Sequence, residues 1–370
     1  MNRMYALKSV RAKIEELCEG YGYSYTTIPM FADAYLYEQY KGVPDNKYIK
    51  FIDRNADVKV IRPDATFHIL KDLRQHECAG IEKLYYSTEI IRENSVSRQY
   101  GIECFNDETA LCDSEVIAIA IETLIGCGFD NIRVDIGHAG FVSALIEEID
   151  CIDENSKQEV STLIAKKNTV QLEDLLTSLG ATKAEIKKLS ELCMLFGEYE
   201  ELIRRAEEFS VNEKMLAAVE NIRQIYDCLS AYGYEKYVFL DMGFANEMDY
   251  YSAMMFKIYT DKAAKAVING GRYDELAKRF ANRTSACGFG ADMDIIAGIY
   301  SDKCRDDRPY VKIYCPKEYY KELIAYAQQF RHCGWKVDIQ NSRNVMYEYK
   351  GVVYSGIPSL NILSERNNEQ

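Results

Sequence analysis

The chain has 370 residues, 48% of them apolar and 28% charged, the balance of a globular protein large enough for one sizeable domain and a small one. With 45 basic against 58 acidic side chains the net charge is −13, which disfavours nucleic acid as a partner unless a local basic patch exists. No run of about 18 apolar residues occurs, and the first twenty residues have the pattern of an amphipathic helix rather than a signal peptide, so a cytoplasmic protein without a membrane span is expected.

Taken in chain order, Ala6, Val10, Ile14 and Leu17 predict a helix over 5–20. TTIPMF follows as a strand with Pro29 inside it or at its end, an edge or interface position. YIKFIDR and VKVIRP alternate apolar and polar residues and predict a hairpin turning at Asn55, Ala56 and Asp57. A helix over 66–75 comes next. KLYYSTEIIRE and QYGIECFN are two strands joined by the loop ENSVSR, followed by a helix over 113–126 and the strand NIRVDIG. Residues 139–230 carry almost only helical patterns, with a capping box at Thr182 and Glu185. Strands return in YVFLDMG, AMMFKIYT and AKAVING. The charged stretch SDKCRDDRPY reads as a linker, and VKIYCP, KELIAYAQQFRHCG and KVDIQ read as strand, helix and strand. The expectation is an α+β domain over 1–304, an antiparallel or mixed sheet flanked by helices and interrupted by a helical insertion at about 139–230, then a small α/β module over 305–370.

The twelve cysteines form no C-x-x-C pair, and His68, His76, His138 and His332 are dispersed. The cysteines read as reduced core residues, and neither a metal nor a cofactor is expected.

Five strings in order carry a resemblance. TTIPMF, YYSTEIIREN with SRQYGIECF, FANEMDYYSAMMF, NGGRYDEL and ACGFGADMDII resemble the class II aminoacyl-tRNA synthetases, the histidyl branch in particular, over about residues 5–300. The resemblance implies a two-fold dimer at the Pro29 segment and a histidine pocket. In that pocket Asp64, Thr66 and Gln99 receive the ammonium group, Glu103 and Tyr251 meet the two imidazole nitrogens, and Tyr273 closes the site. Tyr250, adjacent to Tyr251, is a further candidate; on a strand the two would face opposite sides. Arg92 is either a structural ion-pair partner of Glu93 or Glu103 or a group near the ligand carboxylate.

The departures matter as much. Where the synthetases have an activating arginine this chain has Asn246, and where their third motif ends in a nucleotide-holding arginine it has Ile295, with Asp292 in place of a small glycine. Losing one preorganised group of this kind costs about 2.7–4 kcal/mol of transition-state stabilisation, so adenylate chemistry is not expected. The combination is similar to the regulatory subunits of ATP phosphoribosyltransferase, an impression strengthened by RPDAT, by IRVDIGHAGFVSALIEE and by a tail too short for a full anticodon-binding domain. That family implies a non-catalytic chain that binds histidine and partners the short-form catalytic subunit in a hetero-octamer, with no catalytic residue of its own.

Overall fold

The computed structural model describes residues 2–38, 48–74, 78, 80–92, 95–244, 251–300 and 308–358. The chain divides into two compact units, Met1–Cys304 and Arg305–Gln370.

Unit 1 begins with α1 (Asn2–Gly20). Its buried stripe is Ala6, Val10, Ile14 and Cys18, a strict spacing of four that puts all of them on one face, with Leu17 at the margin. After β1 (Ser24–Tyr25) comes a three-stranded sheet of β2 (Phe31–Asp33), β4 (Val58–Ile61) and β3 (Lys50–Ile52), in that spatial order, with α2 (Ala34–Glu38) between β2 and β3 in sequence. Pro29 lies in the irregular stretch before β2 rather than in a strand, and its carbonyl accepts a bond from Arg62 Nη1 at 2.9 Å. The β3–β4 turn is the expected one: Asp53 Oδ1 accepts from the amides of Asn55 and Asp57, and Ala56 takes a left-handed φ of 66°.

Helix α3 (Thr66–Leu73) leads to the long hairpin β5 (Glu82–Arg92) and β6 (Ser95–Phe105). Then follow α4 (Ala110–Gly126), β7 (Ile132–His138) and α5 (Ala139–Ile146). The helical stretch continues with α6 (Glu154–Ala165), α7 (Thr169–Leu179), α8 (Lys183–Leu192), α9 (Tyr199–Phe209) and α10 (Glu213–Ala231). The capping box at Thr182 and Glu185 is formed. One strand interrupts the helices: β8 (Phe196–Glu198) pairs with β9 (Val238–Asp241). Three residues are too few to show a period, which is why the pattern reads as helix alone.

The remaining strands are β10 (Met254–Thr260), β11 (Ile268–Arg272) and β12 (Ala286–Asp292), with α11 (Asp274–Ala281) before β12 and α12 (Met293–Tyr300) after it. Together they complete a nine-stranded sheet in the order β1-β5-β6-β12-β11-β10-β7-β9-β8. Only β1–β5 and β7–β9 are parallel; the other pairs are antiparallel, so the sheet is the mixed, mainly antiparallel one expected. The main core lies between this sheet and helices that include α1, α4 and α10, and a second buried cluster joins α3 and α11 to the three-stranded sheet, with Phe67 and Phe280 edge to face at 5.1 Å.

Unit 2 contains β13 (Tyr310–Cys315), α13 (Tyr320–His332) and β14 (Lys336–Asn341), with β13 and β14 parallel. A further hairpin, β15 (Met346–Tyr349) and β16 (Val352–Ser355), completes a four-stranded sheet that the sequence reading missed. Lys350 and Gly351 make its turn, both at positive φ, as a two-residue hairpin turn requires.

Candidate functional site

Strand alternation decides what β6 offers on each face. Residues i, i+2 and i+4 share a side, so Ser95, Ser97, Gln99, Gly101 and Glu103 project together. Four of the five line a cavity of about 620 Å3, Gly101 being the exception. Its neighbour β12 supplies the matching row, because Gly288, Gly290 and Asp292 sit opposite Glu103, Gly101 and Gln99.

The glycines of β12 are explained by this register. A Cβ on Gly288 would overlap Glu103 Oε2, and one on Gly290 would overlap the Gln99 amide. On the other side of β6, Tyr86 of β5 pairs with Gly101, and a side chain on Gly101 would collide with the Tyr86 hydroxyl. Large polar groups on one strand therefore stand over bare backbone on the next. The double glycine of NGGRYDEL works the same way. A Cβ on Gly270 would strike the Phe256 ring, and one on Gly271 would lie 2.8 Å from the Tyr251 ring. Gly270 also lines the cavity, whereas Gly271 serves the packing of Tyr251 and Met254.

Of the eight side chains singled out from sequence, Asp64, Thr66, Arg92, Gln99, Glu103, Tyr251 and Tyr273 all line this one cavity. They come from the start of α3, from β5 and β6, from the segment before β10 and from the residue before α11. Tyr250 and Asn246 lie outside the described residues. Tyr251 precedes β10 rather than lying in it, so strand alternation does not govern which way it faces.

Glu103 is the centre of the arrangement. It is 2% exposed, and Thr66 Oγ1 donates to its Oε1 at 2.8 Å while the Tyr273 hydroxyl donates to its Oε2. Burial pushes its carboxyl up to about 8 against the pull of those two donors, with nearby Asp64 adding to the rise. Asp64 is also buried; its Oδ1 accepts the Phe67 amide at 2.9 Å, and burial raises its pKa against that bond and the charge of Arg92. Arg92 Nε donates to the Pro63 carbonyl at 2.7 Å, so the guanidinium is tied to the RPDAT turn. Gln99 Nε2 donates to the Tyr86 hydroxyl at 3.1 Å. Tyr86 was missed from sequence because only the β5–β6 register brings it over Gly101.

Arg272, the residue before Tyr273 in NGGRYDEL, has a structural part. It is 4% exposed and donates from Nε and Nη2 to Asp113 Oδ1 at 2.9 and 2.7 Å, and from Nη1 to the Asp107 carbonyl and to Asp274. Burial acts against its charge, and Asp113 overcomes that. This pair fixes the end of β11 next to Tyr273.

The rest of the cavity is cationic in composition and partly neutralised. Arg98, Lys257 and Lys265 join Arg92 in lining it. Arg98 Nη1 meets Asp294 Oδ1 at 2.8 Å, and Lys265 Nζ meets Asp292 Oδ2 at 3.1 Å. Although two motif arginines are replaced, other cations line the cavity, and two of them are paired. Ile295 turns away, packing against the main core and lining a shallower hollow with Met4, Leu7 and Val96.

Comparison with known proteins fits this geometry. The histidyl-tRNA synthetase family model matches residues 2–296. An ATP phosphoribosyltransferase regulatory subunit from Oceanobacillus iheyensis is 30% identical over 331 residues, 86% of this chain and 81% of that protein. Another, from Clostridium kluyveri, is 30% identical over 80% of this chain and 79% of its own. Among solved structures, an ATP phosphoribosyltransferase regulatory subunit/histidyl-tRNA synthetase from Bacillus halodurans superposes with a TM-score of 0.83 at 25% identity, covering 98% of this chain and 92% of that one. A chain of the ATP phosphoribosyl transferase complex of Thermotoga maritima shares the fold, with a TM-score of 0.60 at 19% identity over 77% of this chain and 96% of its own. The chain belongs to the ATP phosphoribosyltransferase regulatory subunits, built on the histidyl-tRNA synthetase fold.

Proposed function

We propose that this regulatory subunit binds free histidine in the β6 cavity and transmits its occupancy to a short-form ATP phosphoribosyltransferase catalytic subunit, with no adenylating activity of its own. The observation that carries the reading is a buried carboxyl group, Glu103, in a cavity also lined by the phenols of Tyr251 and Tyr273. A neutral imidazole has one donor and one acceptor nitrogen, and a carboxyl group with a phenol can satisfy both. In this reading Glu103 and Tyr251 meet the two ring nitrogens, and Asp64, Thr66 and Gln99 meet the ammonium group. Arg92 faces the ligand carboxylate and Tyr273 closes the pocket; Tyr250 joins them on sequence grounds alone. Thr66 and Tyr273 already donate to Glu103, so an imidazole N–H joins or displaces one of them. A coupling of about 1–3 kcal/mol, or about 5- to 150-fold in affinity, suffices for regulation of this kind.

The same reading takes a homodimer through the Pro29 segment, catalytic dimers added to make a hetero-octamer, a cytoplasmic location, no nucleic-acid partner, and unit 2 as a shortened anticodon-binding module. Exposed Met30, Phe31, Ile52 and Val58 on and beside the three-stranded sheet favour a self-complementary contact there.

Calorimetry with free histidine, followed by assay of the co-purified catalytic subunit with and without histidine, tests the proposal. Glu103→Ala is expected to weaken histidine binding about 10- to 100-fold, the effect of leaving a buried polar group of the ligand without its partner. Unchanged feedback by histidine in that variant would remove Glu103 as the imidazole partner. Histidine-dependent exchange of pyrophosphate into ATP would instead make the chain a synthetase.

A further inference from the structure

We infer that Cys104, Asp107 and Cys112 form a binding site for a thiophilic divalent cation of the zinc type, on the face of the sheet opposite the β6 cavity. Strand alternation sets the position. Glu103 and Gly288 line the cavity, so Cys104 and Cys287, directly opposite each other in the β6–β12 register, face the other way. Helix α4 packs on that side and brings Cys112 in its first turn. One ligand atom from each of Cys104, Asp107 and Cys112 lies within 4.8 Å of the other two. Around a zinc ion, neighbouring sulfur and oxygen ligands stand roughly 3.5–3.8 Å apart, so side-chain movements of about 1 Å close the set. Cys112 is also in hydrogen-bonding contact with Cys287, which places a third thiol next to the trio. Seven residues separate Cys104 from Cys112, a spacing that carries no metal signature. The end of a strand and the start of a helix bring them together, which is why the cysteines read as core residues from sequence.

Packing accounts for buried cysteines but not for the charged groups gathered around these. Asp107 is half-buried and held in place: the Thr109 amide and hydroxyl donate to its Oδ1 at 3.0 and 2.6 Å, and Arg272 Nη1 donates to its carbonyl at 2.9 Å. Asp113, in contact with Cys287, keeps its Oδ2 buried without a hydrogen bond among the described residues. An orphaned acceptor beside ligand atoms is placed to orient a ligand or to hold a water on the ion. Two thiolates and a carboxylate exceed a divalent cation by one negative charge, and Arg272 near Cys112 and Lys83 near Cys104 offset it. Two sulfurs with one oxygen favour zinc over magnesium or calcium, which take oxygen ligands. An ion here ties α4 to the sheet directly beneath the cavity, since Cys104 follows Glu103 and Cys287 precedes Gly288 in the chain. The inference does not depend on what the cavity on the other face binds.

The test is titration of the full, reduced chain with cadmium as an optical probe, followed by competition with zinc. Wild type is expected to bind about one ion per chain with thiolate-to-cadmium charge-transfer absorption, which zinc removes. Cys333→Ser, which alters the exposed cysteine of unit 2, should match wild type. Cys112→Ser should lose the absorption. Asp107→Asn keeps both thiols and an oxygen for Thr109; it should weaken affinity at least about tenfold while the absorption persists at saturation. If Cys112→Ser does not fold, Asp107→Asn decides. No charge-transfer absorption in wild type, equal affinity in wild type and Asp107→Asn, or binding that is lost with Cys333 overturns the inference. A Cys104–Cys112 disulfide, found by mass spectrometry of the unreduced chain in place of a bound ion, overturns it as well.

Discussion

The two ends of the β6 cavity hold similar numbers of charged groups and treat them in opposite ways. At the Glu103 end the polar atoms are buried, the partners are hydroxyls and amides, and bare glycine backbone is set opposite them. At the α12 end the groups are open to water and the cations are paired to carboxylates from their own chain. Burial makes the first end sensitive: a low-dielectric site amplifies each unpaired group. The second is tolerant, because solvent screens what it holds. One cavity in this way holds a buried polar surface at one end and charges satisfied from within the chain at the other.

That contrast is breakable. The largest effect should come from Arg272→Met, which leaves Asp113 buried without its partner beside Tyr273; urea unfolding is expected to show a loss of about 3–5 kcal/mol. Next, Gly288→Ala inserts a methyl against Glu103, and overpacking of this kind costs about 1–3 kcal/mol. Histidine affinity should fall with it, measured by calorimetry on the folded fraction.

A third test uses pH. Glu103 titrates near 4.5 when unfolded and is pushed to about 8 by burial. Between these values the folded chain holds a proton that the unfolded chain has released, so its contribution to stability is full below 4.5, declines as pH rises, and is level above 8. Against wild type, Glu103→Gln should gain in urea midpoint from pH 5 to pH 8 and then hold steady; parallel profiles would show that the carboxyl is not perturbed. The smallest effect belongs to the other end: Lys265→Ala should change stability by about 0–1 kcal/mol and leave histidine affinity unaltered.

Much of this was legible from residue order. The long β5–β6 hairpin and the α+β class follow from period and punctuation, and the resemblance named seven residues that the fold gathers around one cavity. What was not legible depended on register. Gln99 against Tyr86, Gly290 under Gln99 and Arg98 against Asp294 join residues 13 to 196 positions apart in sequence, and no local periodicity specifies such pairings. Arg272 illustrates the same limit, since its partner Asp113 lies 159 positions away on α4. Short strands such as β8 escape for a different reason: their pairing comes from β9, not from their own composition.

Paired titrations of the wild-type chain with histidine and with magnesium ATP weigh the two ends against each other in one experiment. Saturable heat from histidine and none from the nucleotide is the expected outcome. Nucleotide binding, with or without histidine, would contradict the account.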